Sequence, residues 1–381
     1  MKNTLLLFLL IFSAALFLSL QPAAYIADAN KPAIRLTLDT MDGQKMAEGP
    51  APFRLPISGF RLSASVKMLA NKPVAEVLEE LGDEPVEHQV DTAIAGVSVE
   101  RGRSLVLTGF ADKPGGGRLS KQSKQFVCTS CHNVQKEDPD LSVADPQARL
   151  LYAQKMGIPF LQGTALYGAV NRTSFYNGDY EKKYGSLVAP ARNNLREAIQ
   201  LCAVECSQGR ALKPWELESV LAYLWTIGLE MKDLGLSDKE YKQVNTALAI
   251  RKNKEAAVEL IKSHYLQASP ATFVEPPKDR REGYENIKGD AANGQRVYEL
   301  SCLHCHEKER YSFFKLDHAK TTFQYLKKHF PQYTRYSVYQ VARYGTSPIP
   351  GKEAYMPNYT LEKMSHQQLE DLRAYVEQMA E

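Results

Sequence analysis

Two stretches of the 381-residue chain repeat one chemical pattern, Cys128-Thr129-Ser130-Cys131-His132 and Cys302-Leu303-His304-Cys305-His306. Both fit C-x-x-C-H, the pattern of covalent c-type haem attachment. Two thiols three positions apart can add to the two vinyl groups of one porphyrin. The histidine that follows is then set beneath the iron as its proximal ligand. The pattern predicts two haem c groups, the first on Cys128, Cys131 and His132 and the second on Cys302, Cys305 and His306. A thioredoxin-like C-x-x-C would need a βαβ context that the chain lacks. A zinc knuckle would need a second ligand pair close by. Cys202 and Cys206 could supply one for the first site, but nothing comparable serves the second.

The elements that must position these motifs are mostly helical. The first motif region, 120–268, ends in a helix expected over Trp215–Met231, with Leu217, Val220, Leu221 and Leu224 on one face. A polar, lysine-rich helix is expected over Ser237–His264. Residues 269–289, with Pro276-Pro277 and clustered charge, read as a linker. The last stretch, 290–381, opens with a helix carrying Gly294, Val297, Tyr298 and Leu300 and closes with one over His366–Met379. Residues 30–119 hold no ligand-type cluster. There a helix is expected over Lys72–Leu81, and the alternations Gly96–Val99 and Ser104–Leu107 around Arg101-Gly102-Arg103 predict a hairpin. His88 is expected to be a solvated loop side chain. The fold class is therefore mainly α: two haem-bearing helical domains with a small β-rich or mixed N-terminal domain.

Composition narrows the setting. With 44% hydrophobic and 24% charged residues the chain is neither disordered nor polytopic. Forty-seven basic against 44 acidic residues, a net +3, leave no excess to drive nucleic-acid binding. The propionates of two haems would bring that charge near neutrality or below. Lys2, the apolar run Leu5–Leu20 and Ala27-Asp28-Ala29 read as a signal peptide over 1–29, or as an uncleaved anchor. Either implies a periplasmic or otherwise exported protein.

The final 90 residues or so resemble a class I cytochrome c domain. The likeness rests on the Gly294-x-x-x-Tyr298 helix, the second haem motif, Tyr355-Met356-Pro357 and the Ala374-Tyr375 pair of the closing helix. It implies that Met356 is the distal ligand opposite His306, raising the haem's potential because a thioether favours ferrous iron. Met364, at the start of the closing helix, is the alternative ligand and reads as packing. His304, His318 and His329 read as surface imidazoles, and Tyr355 and Tyr359 as exposed rings at the haem edge. The first motif region has its own Ala222-Tyr223 pair. Met356 lies 18 residues before Ala374, and the same count back from Ala222 reaches Val204, between Cys202 and Cys206. A cysteine thus stands where a distal methionine should be, with Met156 the runner-up.

The segment Ile199-Gln200-Leu201-Cys202, with Ser207-Gln208-Gly209 and Leu212, is similar to that around the distal cysteine of dihaem thiosulfate dehydrogenases. More distantly it is similar to the cysteine-ligated cytochromes of the periplasmic sulfur-oxidation system. That resemblance implies a haem-ligating Cys202. Cys206 and the N-terminal region have no counterpart there, and the competing reading is a Cys202–Cys206 disulfide, which export would permit. Tyr176–Tyr180 reads as a cover for the first haem. Electron transfer with redox partner proteins is the expected function. The alternative is thiosulfate-type sulfur oxidoreduction at the first haem, with a small anionic substrate held by Arg172, Arg192, Arg196 and Arg210. A dihaem peroxidase and a subunit of a membrane-associated respiratory complex are further readings.

Overall fold

The computed structural model describes residues 68–268, 271–347 and 355–381. The expected export segment, 1–29, and the first part of the N-terminal region lie outside the described residues. The helices, in chain order, are α1 Val74–Leu81, α2 Val99–Thr108, α3 Pro146–Met156, α4 Gly178–Tyr184 and α5 Leu195–Leu201. Then come α6 Pro214–Thr226, α7 Asp238–Ile250, α8 Lys254–Ser263, α9 Ala291–Val297 and α10 Leu303–His306. The last three are α11 Lys320–His329, α12 Val338–Tyr344 and α13 His366–Met379. Two single π turns, Cys202–Cys206 and Tyr298–Cys302, follow α5 and α9 directly. Among the described residues there is no strand, only isolated bridges. The mainly helical expectation holds, and the β-rich N-terminal domain is not found in them.

The expected hairpin is α2. The Ser98 hydroxyl accepts from Arg101 N, and Gly109 ends the helix in the left-handed conformation. Val99, Gly102, Leu105 and Val106 recur at helical spacing; the local alternation that suggested strands covered too few residues to decide. Gly102 is a crossing point rather than a turn. A Cβ there would overlap the Ser219 carbonyl of α6. Gly294 of α9 meets the Asp371 carbonyl of α13 in the same way. Ser219 lies three residues before Ala222, and Asp371 three before Ala374. The two crossings therefore share one register, and residues from 99 onward pack with the first motif region. The boundary expected at 119/120 does not separate two packing units.

The boundary on the other side is crossed as well. α3 turns Leu150 and Ala153, followed by Ile158 and Phe160, into the core formed by Val297, Tyr298, Phe323, Leu369, Leu372 and Tyr375. The first motif's α3 thus completes the core around the second. A third core joins α1, α7 and α8 through Val74, Val77, Leu81, Tyr241, Val244, Ala257 and Ile261. The single helix expected over Ser237–His264 is two helices, broken where Arg251 and Asn253 take positive φ.

The expected linker is a strap. Ala271, Pro276 and Pro277 are buried. Leu361 N donates to Thr272 O, Thr272 bonds Glu362, and Tyr284 N donates to Glu370. His88 is likewise no solvated side chain. It stacks on Trp225 with centroids 5.7 Å apart, and its Nε2 lies 2.9 Å from Val170 O.

Candidate haem sites

α9, the π turn and α10 form one continuous rod that presents the second motif. The π turn is closed by Leu303 N donating to Tyr298 O, and an inserted residue of this kind re-aims the side chains that follow it. The Tyr298 ring is buried in the core and its hydroxyl donates to Asp317 O. His306 Nδ1 lies 2.7 Å from Phe314 O. Donation of the Nδ1 proton to that carbonyl fixes the tautomer and leaves Nε2 as the ligand atom. Met356 packs against the same core as Cys302. Its backbone is anchored by Thr346 N donating to Met356 O at 2.9 Å and Met356 N donating to Thr346 Oγ1 at 2.7 Å. Met364 is buried within the core, in keeping with a packing role. Tyr359 is no exposed rim residue: it is buried, and its hydroxyl bonds Ser301 Oγ.

The first motif is built by loops. Cys128–Ser130 is a 3₁₀ turn. His132 Nδ1 lies 2.6 Å from Thr164 O, again freeing Nε2. The neighbouring Gly163 allows this approach, because a Cβ there would sit 2.6 Å from the His132 ring and from Cys131 O. Burial pushes the thiols of Cys128 and Cys305 up to about 11 and that of Cys302 up to about 12, and raises Cys131 too. Cys128 and Cys302 pack against apolar cores, a setting that suits a porphyrin. Both motifs fit a covalently held haem.

Cys202 and Cys206 lie on the π turn after α5, closed by Ser207 N donating to Cys202 O at 2.9 Å. Both are half-buried and unbridged in this structure. A hydrogen bond to Cys202 comes first among the causes that raise the Cys206 thiol pKa, burial second, and His132 opposes them. Cys206 also acts on Tyr176, Tyr180 and Tyr355, whose hydroxyl pKa values are raised chiefly by burial. Tyr176 and Tyr180 meet edge to face at 5.0 Å, and Tyr180 meets Phe273 of the strap at 5.2 Å. The runner-up Met156 ends α3, half exposed, on the helix that packs into the second core. The four arginines offered for an anion are engaged elsewhere. Arg192 pairs with Glu181, Arg196 with Glu218 and Arg210 with Glu216, while Arg172 donates to Gln267 O.

The two motifs meet. Cys305 Sγ lies 3.9 Å from Ser130 O, inside the first motif. His304, expected at the surface, is half-buried beside the Thr129–Ser130 backbone, and burial pushes its pKa down to about 4. Tyr355, next to Met356, leaves its own unit and meets Phe126 edge to face at 6.2 Å.

Residues 289–376 match the family model for cytochrome c oxidase, cbb3-type, subunit III. They form a cytochrome c domain. No curated protein and no solved structure matches the chain. The cytochrome c domain carries at least one haem c through its C-x-x-C pair and implies haem-based electron transfer with redox partners. No helix among the described residues is long and apolar enough to cross a membrane.

One buried charge cluster, shared between the first motif region and the cytochrome c domain, has little signal in the sequence. Glu137 accepts from Lys363 Nζ at 3.0 Å and lies 3.4 Å from Arg149 Nη1, all three buried. Arg149 Nη2 also donates to Lys363 O, and Asn133, next to His132, donates to Glu137. The sequence signal was faint: Arg149 precedes Leu150 on an apolar helix face, and Lys363 adjoins the buried Met364.

Proposed function

We propose that the protein is an exported dihaem cytochrome c that relays electrons between redox partner proteins through two covalently bound haems. The observation that carries this reading is the contact between the motifs, Cys305 Sγ to Ser130 O at 3.9 Å. Groups attached at two such points are neighbours, and electron transfer needs proximity and orientation rather than substrate chemistry. Each haem iron, when bound, supplies one reversible electron. His306 and Met356 would hold the second iron, and His132 would hold the first. A thiolate from the cysteine pair would oppose His132 and lower that haem's potential, so electrons would enter there and leave through the cytochrome c domain. The engaged arginines favour relay over chemistry on an anion.

Haem counting tests the reading. A pyridine haemochrome assay is expected to give two haems per chain, and Cys128→Ala with Cys131→Ala should leave one. One haem in the wild type would refute the dihaem reading. Thiosulfate is expected to leave the spectrum of the purified protein unchanged; a shift would restore the sulfur-enzyme alternative.

A further inference from the structure

Two thiols in this protein belong to neither attachment motif. Cys202 and Cys206 sit four residues apart on a π turn, half-buried and both free. Residues i and i+4 on a helical turn are separated by about 6 Å, within the range that a disulfide spans. A bridge here would close so short a loop that it removes little chain entropy, which argues against a purely structural disulfide. The surroundings point to redox use instead. Ala203, on the same turn, packs in one core with Cys128 of the first motif, and Cys305 Sγ of the second motif lies 3.9 Å from Ser130 O of the first. The dithiol therefore stands at the head of a line running from the pair, through the first motif, to the cytochrome c domain.

We infer that Cys202 and Cys206 form a third redox centre, a dithiol–disulfide couple that delivers two electrons, one at a time, to the two haems. This inference rests on the dihaem reading. In the forward step the two S–H bonds break and one S–S bond forms. Two protons leave to solvent, and two electrons pass singly to the two ferric irons. The disulfide is reset by exchange with an external dithiol, whose thiolate attacks one sulfur and whose second thiol resolves the mixed disulfide, leaving the donor as its disulfide. A two-electron donor of the dithiol class is thereby matched to one-electron acceptors. Because the bridge would occupy the sulfur offered to the first iron, the pair's state is read in the first haem's spectrum.

The full-length holoprotein, reduced anaerobically with dithiothreitol and desalted, is titrated with ferricyanide while the thiols are followed by alkylation and peptide mass mapping. Four oxidising equivalents per chain are expected, with Cys202 and Cys206 alkylated before the titration and joined by a disulfide after it. Cys202→Ser should lower the count to two. Two equivalents in the wild type, or both thiols still alkylated once the haems are oxidised, would overturn the inference. A protein with one haem by haemochrome assay would take three equivalents if the couple operates and one if it does not. Failure of the dihaem reading is thus separable from failure of the couple. The mass map of the wild type decides the matter even if the variant fails to fold.

Discussion

Tyr355 and Met356 are consecutive residues that serve different sites. Met356 packs into the core of the cytochrome c domain, while the Tyr355 ring meets Phe126, two residues before the first motif. An edge-to-face pair of this kind contributes about 0.5–1.5 kcal/mol beyond its buried area. Tyr355→Ala is therefore expected to lower stability by about that amount and to shift the spectra of both haems, because the turn that carries Met356 loses its anchor on the first site. Tyr355→Phe keeps the ring and should leave both spectra in place. Potentiometric titration followed across the visible spectrum checks this; a change confined to one haem would break the proposed link. Met356→Ala belongs to the same scale. In the proposed His306/Met356 site the thioether is the donor that favours ferrous iron, so its loss should lower the potential of that haem.

At the scale of elements the two glycine crossings can be judged against helix propensity. In an open helix Gly→Ala would stabilise by about 0.5–1 kcal/mol. At Gly102 and Gly294 the new methyl would run into a backbone carbonyl that cannot swing aside. Overpacking costs about 1–3 kcal/mol and more against rigid backbone, so destabilisation wins at both sites. Gly102→Ala and Gly294→Ala should each lower the midpoint of thermal unfolding, and an unchanged or raised midpoint would show the crossing to be soft. The same crossings show what the sequence could reveal. The cytochrome c domain around the second C-x-x-C-H motif and the closing helix His366–Met379 were legible because each is defined by local spacing. α2 was not, because its four-residue alternations resemble strands until Ser98 and Gly109 are recognised as caps. The destination of α3 was hidden for a different reason. Its apolar face announces that it is buried, but nothing within its own residues says which unit buries it. The strap 271–284 was misread because proline and charge mark irregular backbone, whether that backbone is free or packed.

The molecule is tied across its two C-x-x-C-H segments by a buried charge cluster. Burial alone would raise the Glu137 carboxyl, but Lys363 and Arg149 outweigh it and hold the pKa down to about 2. A depressed carboxylate contributes stability that is complete above its unfolded pKa, near 4.3, and is lost as pH falls towards about 2. Acid should therefore loosen the junction between pH 4.5 and 2, and Glu137→Gln should remove that part of the acid transition. At neutral pH the same variant leaves Lys363 and Arg149 buried without their counter-charge, at a cost of about 3–5 kcal/mol. Adding Lys363→Met to Glu137→Gln removes one of the stranded charges. The double variant should then be less destabilised than the sum of the two single changes, as expected for groups in one network. Urea unfolding at pH 7 and pH 3 measures all four corners of the cycle. Strict additivity would mean that the cluster is only three buried groups, whereas coupling would make it the clamp that keeps Ser130 against Cys305. In that case Glu137→Gln should also slow electron exchange between the haems more than it moves either potential, since the ligands themselves are untouched.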